Sequence, residues 1–201
     1  MRGSDLVTDE KGKKPMYCLN EPCSATNCRD AASWTKPAPG WCKLNFDAGF
    51  SEETNTGSWG VILRDENGKN IHTAWGKTEY CPTAEVVEAI AGIQRVKAIL
   101  PACAEPVHVE NDSAAVITAL KSRVQDKSSI SGLISEIKEL LNLTPGFEVS
   151  KVKRANNVVA HELAKLGRSV SVPVLSVSAP TCVSDLIKHD CIGCNTDSVS
   201  T

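Results

Sequence analysis

The sequence predicts an α/β domain built on a mixed five-stranded sheet, and three observations carry that reading. Three strand-like segments come first, the apolar period then lengthens from two to about 3.6, and short β-branched segments alternate with helical ones thereafter. The resulting order, β-β-β-α-β-α-α-β-α, joins an antiparallel meander to β-α-β crossovers, so helices must pack on the faces of the sheet.

Each element has its own local signal. WCKLNFDAGF sets Leu44, Phe46 and Ala48 against Lys43, Asn45 and Asp47, the alternation of a strand. SWGVILRD is a second strand, Glu66-Asn67-Gly68-Lys69 a hairpin turn with Asn-Gly at its centre, and NIHTAWGK the returning third strand. Pro82-Thr83 opens a helix with Val86, Ile90, Ile93, Val96 and Leu100 on one face, stopped at Pro101. VHVEN is a short β-branched strand, and Asp112-Ser113 caps the helix SAAVITALK. Ser128–Leu143 is amphipathic and ends at Pro145-Gly146, FEVSKVKR is the fifth strand, and Asn156-Asn157 starts the last helix, VVAHELAKLG, closed by Gly167.

Composition divides the chain around this core. Residues 1–40 are polar and broken by Pro15, Pro22, Pro37, Pro39 and Gly40, which reads as a tail or linker. Residues 41–169 carry the regular pattern, and 170–201 form a Ser/Val/Pro-rich tail, with Cys182–His189 its one short amphipathic segment and loose packing expected. The whole is 201 residues, 41% hydrophobic and 23% charged, which excludes wholesale disorder, collagen and coiled coil. No apolar run reaches the ~18–20 residues that span a bilayer, and MRGSDLVTDEKGKKP lacks the apolar stretch of a secretory signal. The expectation is an intracellular protein, with nucleus and cytoplasm both open and no membrane partner. A net charge of −2 excludes a uniformly basic nucleic-acid glue but leaves room for a local basic stripe. The nine cysteines, without knuckle spacing, read as scattered buried or tail thiols; a zinc or docking element in the tails is the weaker alternative.

The acids are placed unevenly. Asp47 lies in the first strand among apolar residues, Glu85 and Glu88 in the first turns of the first helix, and Asp112 at the C-terminal end of the fourth strand, where ligands collect in α/β sheets. A right-handed crossover can make the first and fourth strands neighbours, which puts Asp47 beside Asp112 with Glu88 above them. Crowded carboxylates repel, and a hard divalent cation is the usual remedy; two such ions suit phosphodiester hydrolysis. Blander roles stand beside these: Asp47 as an ordinary strand residue, Asp112 as a helix N-cap, Glu85 and Glu88 as complements to the helix dipole.

At these residues the sequence resembles the ribonuclease H type 1 domain, in the reverse-transcriptase-like form found in plants and derived from non-LTR retroelements. The resemblance covers residues 41–169. KLNFDAGF resembles the first strand of the family, TGSWGVILRDENGK its second strand and turn, AEVVEAIAGIQRVKAI the helix with the catalytic Glu, VHVENDSAAVI the strand ending in Asp-Ser, and VKRANNVVAHELAKLG the closing signature. It implies an RNase H-like fold and hydrolysis of the RNA strand of an RNA–DNA hybrid with two Mg²⁺ or Mn²⁺ ions. Asp47, Glu88 and Asp112 then take the places of metal-binding acids, with Glu85 an alternative to Glu88.

The fourth position departs from the pattern, since His161 stands where the family has its final Asp. Imidazole is a poorer Mg²⁺ ligand than carboxylate but can move a proton at the hydrolytic water, so His161 marks either a catalytic assistant or a decayed site. Lys151 and Lys153 fall on one face of the last strand, followed by Arg154, Lys165 and Arg168, a stripe able to neutralise phosphates. Asn45, Ser113 and Asn156 are uncharged donors expected to reach the backbone or the 2′-hydroxyl. The alternative to an enzyme is a non-catalytic nucleic-acid-binding module, a decayed or domesticated retroelement domain.

Overall fold

Strand β1, Cys42–Ser51, is the spine of the fold in a computed structural model that describes residues 34–81, 83, 86–87, 97, 103–122 and 130–193. All of these belong to one compact unit spanning 31–201. β1 pairs antiparallel with β2, Thr56–Arg64, which pairs antiparallel with β3, Asn70–Thr78. On its other edge β1 runs parallel to β4, Val107–Asn111, and β4 parallel to β5, Phe147–Lys151. The meander and the expected β1–β4 adjacency are therefore both present, with the strand order β5-β4-β1-β2-β3-β6.

The sheet has six strands rather than five. β6, Val174–Ser176, adds antiparallel to β3, and the helix after it packs Val183 and Ile187 against Ile62, Val159 and Leu163. The 170–201 segment, which its composition reads as a loosely packed tail, thus supplies a strand and a packed helix face. Its Ser-rich composition hides three strand residues and two well-spaced aliphatics, a signal too short for periodicity to resolve. Trp34, inside the stretch read as an N-terminal tail, is likewise only 1% exposed.

Helices α1 (Ala114–Lys121), α2 (Ser131–Leu141), α3 (Val158–Gly167) and α4 (Thr181–Gly193) are described. Of the helix expected between Pro82 and Pro101, only Val86, Val87 and Lys97 are described as helical. The faces of the sheet differ in kind. Leu44, Phe46, Val61, Leu63, Val107 and Val109 form an apolar core with Val116, Leu120, Ile134, Ile137 and Leu141. The opposite face of β1 presents Lys43, Asn45 and Asp47, all buried.

Helix α3 crosses that second face at Gly60. A Cβ there would lie 2.3 Å from the Ala164 backbone nitrogen and 2.5 Å from the Ala160 carbonyl oxygen, so only glycine admits so close a helix. Gly60 is paired with Asp47 across the β1–β2 ladder. The close approach therefore brings the residue after Ala160, His161, onto Asp47.

Candidate active site

The site lies where two parallel strands part. β1 and β4 pair only from Cys42–Val107 to Asn45–Glu110, although β1 continues to Ser51. Beyond that point the Phe46 carbonyl has no ladder partner on β4, and two side-chain amides take it up. Asn111 Nδ2 donates to it at 2.8 Å and Asn157 Nδ2 at 2.9 Å. These two asparagines pin the end of β4 and the start of α3 to β1, and sequence reasoning missed both. An Asn at a strand end and another at a helix start are the signals they leave, because each position has main-chain groups outside a ladder nearby.

Asp47 and Asp112 flank this crevice. Asp47 is 2% exposed, and its Oδ2 lies 2.6 Å from His161 Nδ1. Burial pushes the Asp47 carboxyl above its ordinary range; the bond to His161 opposes that shift, and the charge of Asp112 adds to it. Asp112 is not the cap of α1. Ser113 is, its Oγ accepting from Val116 N at 3.4 Å, which leaves the Asp112 carboxylate to Asn157 Nδ2 at 3.5 Å and Arg154 Nη1 at 3.8 Å.

Arg154 links the two acids. Its Nη2 lies 3.1 Å from His161 Nδ1 and 3.3 Å from Nε2, so guanidinium, imidazole and both carboxylates form one chain. With Nδ1 against a carboxylate oxygen, the neutral imidazole donates from Nδ1 and keeps its lone pair on Nε2. Glu162 points away from this chain and pairs with Lys165.

The donor set fits a hard divalent cation: two carboxylates, one buried and unfavourably charged, under mutual repulsion on adjacent strands. Arg154 and His161 meet part of the same need from within the chain. Glu88 and its alternative Glu85 lie outside the described residues.

The expected nucleic-acid contacts fare unequally. Asn45 is fully buried, donating to Glu110 Oε2 at 3.0 Å and accepting from Trp34 Nε1 at 3.0 Å, so it offers no donor to a ligand. Its strand face was read correctly; the cover laid over it by Trp34 comes from outside the periodic core. Lys151 ends β5 beside Asn111, exposed and at the acid end of the sheet. Lys153 is also exposed but lies past the strand, because the chain turns into a 3₁₀ segment at Arg154–Asn156. Asn156 is half-buried, and its Oδ1 has no partner among the described residues. A separate groove of about 680 Å³ has Gly49, Ser58, Lys77 and Arg168 in its wall.

Comparison with known proteins bears on the whole region. The model of the reverse transcriptase-like family matches residues 45–167. The fold is similar to the N-terminal RNase H domain of a Mycobacterium tuberculosis protein, with TM-score 0.59 and 18% identity over 64% of this chain and 94% of that one. It is similar also to RNase H1 of Halobacterium salinarum, with TM-score 0.58 and 20% identity over 65% and 98%. A compost metagenome RNase H1 solved in complex with an RNA/DNA hybrid gives TM-score 0.55 and 18% identity over 62% and 94%. No curated protein sequence matches the chain.

Proposed function

Because the chain belongs to the reverse transcriptase-like family and has the fold of a type 1 RNase H domain, we propose that it hydrolyses the RNA strand of an RNA–DNA hybrid at the crevice between β1 and β4. The observation that carries the proposal is the pair Asp47 and Asp112 just past the last paired residues of β1 and β4, Asp47 buried with its carboxyl pushed up and the charge of Asp112 adding to that shift. Asp47 and Asp112, with Glu88 by family resemblance, would hold Mg²⁺ or Mn²⁺. Such ions, when bound, polarise the phosphodiester and activate water.

The residues around the acids divide the remaining work. Asn111 and Asn157 hold β1, β4 and α3 in register, so the two carboxylates keep their spacing as charge changes between them. His161 takes its orientation from Asp47 and accepts a proton at Nε2 once Arg154 moves off that nitrogen. Arg154 is long and 66% exposed on its side chain, free to leave the imidazole for a phosphate. Lys151 and Lys153 supply further charge at the same end of the sheet, and Ser113 and Asn156 supply uncharged groups for the sugar–phosphate backbone.

A second reading, a non-catalytic hybrid-binding module, is favoured by one feature. Arg154 brings charge to Asp112 and His161 a hydrogen bond to Asp47, so both acids already have a partner without a metal. A labelled hybrid incubated with the full chain and Mg²⁺ or Mn²⁺ separates the two. The enzyme reading expects RNA-strand cleavage that falls to background in Asp47→Asn and rises in His161→Asp. Cleavage no higher than in Asp47→Asn overturns it and leaves the binding module, with hybrid binding that weakens with salt and ignores chelators.

A further inference from the structure

At the opposite end of β1 from the acids, two thiols and a carboxylate converge. Cys42 opens β1, and Cys103 and Glu105 precede β4. Cys42 Sγ lies 3.7 Å from Glu105 Oε2 and Cys103 Sγ 3.8 Å from the same oxygen. The three donor atoms all fall within 4.8 Å of one another, the sole such group of three or more His, Cys, Asp or Glu among the described residues.

We propose that Cys42, Cys103 and Glu105 bind a borderline-soft divalent cation, zinc above all, which clamps the start of β1 to the segment entering β4. The geometry carries this. With bonds of about 2.3 Å to sulfur and 2.0–2.2 Å to oxygen, the corners of a tetrahedral zinc site stand roughly 3.5–3.8 Å apart. The sulfur–oxygen separations already match those edges. The backbone holds them there: Cys42 N donates to the Pro106 carbonyl at 2.9 Å, and Cys42 is in register with Val107. Thiolates select zinc over Mg²⁺, and the exposed Glu105 gives an ion and its remaining water a way in.

Five residues of strand, about 16 Å at ~3.3 Å each, separate Cys42 from Asp47, so this site is independent of the proposed hydrolysis. Sequence spacing conceals it, because its two cysteines are 61 positions apart rather than in a CxxC pair. Without metal each thiol has the Glu105 carboxylate as an acceptor. Binding then balances as two thiols and Zn²⁺ giving a zinc dithiolate and two protons released to buffer.

The full chain, purified under reductant, loaded with Zn²⁺ and desalted, tests the site by retained metal, proton release and the thiolate-to-cobalt charge-transfer band after Co²⁺ substitution. Wild type should retain one zinc equivalent more than Cys42→Ala/Cys103→Ala. Glu105→Gln, at an exposed position that leaves folding intact, should bind at least tenfold more weakly, and Cys182→Ala should match wild type. Equal zinc in wild type and the double variant, undiminished affinity in Glu105→Gln, or a Cys42–Cys103 disulfide in the reductant-purified chain each overturns the proposal.

Discussion

One strand face carries two buried ionic clusters, and they are balanced in different ways. Toward the start of β1, Lys43 Nζ donates to Glu110 Oε1 at 2.6 Å and to the Thr35 carbonyl at 2.7 Å, while Arg64 Nη1 meets Asp190 Oδ2 at 2.7 Å. Trp34 closes this cluster, its ring centre 3.5 Å from the Arg64 guanidinium carbon and 5.1 Å from Lys43 Nζ. Two cations face two anions, and the cover is aromatic. Two residues further along β1, Asp47 and Asp112 share one exposed arginine and one imidazole. The first cluster gives each buried cation its own acid under an aromatic cover, although burial still pushes the Asp190 carboxyl up; in the second, among the described residues, the raised carboxyl of Asp47 has an imidazole and an exposed arginine beside it. Similar residues thus form a covered, pairwise-matched cluster in one place and an open, shared one in the other.

The sharpest way to break the closed cluster is Glu110→Ala. Glu110 accepts from Lys43 and from Asn45, and both Lys43 and Asn45 are buried. Its loss strands an ammonium in the interior, for a cost of about 3–5 kcal/mol. A fall in the urea midpoint with an unchanged m-value is the expected reading, and a loss below about 1 kcal/mol would show that water replaces the carboxylate.

Asp47→Asn should do the reverse. The native state holds the Asp47 proton more tightly than the unfolded chain, whose ordinary value is 3.8. Ionisation therefore works against folding, and wild-type stability declines as pH rises from that value through the raised native one. An amide cannot ionise. The variant should melt above wild type near pH ~7 in chelator, with the gap closing by pH ~3, below both values. Added Mg²⁺ or Mn²⁺ should raise the wild-type melting temperature and leave the variant where it is.

Much of this was legible in sequence, for physical reasons that differ by element. The β1 alternation shows because Leu44 and Phe46 face a continuous apolar core, and the β1–β4 adjacency follows from crossover handedness. Asp47 and Asp112 were legible as a pair for that reason. The closed cluster was not, because it depends on Trp34, a single aromatic in a Pro-broken stretch with no period to reveal its depth. β6 pairs only three residues with β3, too few to alternate visibly. Asn111 and Asn157 escaped because their role is to occupy one carbonyl, and hydrogen bonds to a specific carbonyl leave no pattern in hydrophobicity.

The smallest effect on stability, and the finest test of the contrast, is Arg154→Ala. Arg154 touches His161 and approaches Asp112, yet its side chain is mostly in solvent. An exposed ion pair of this kind contributes about 0–1 kcal/mol, so the urea midpoint should scarcely move. Hybrid binding should respond differently. If the guanidinium leaves the imidazole for a phosphate, its removal weakens hybrids of any sequence alike and lowers the slope of log K against log salt by about 1. A variant that loses stability like Glu110→Ala while binding hybrid with an unchanged slope would place Arg154 with the structural charges, and the open cluster would then be as self-contained as the closed one.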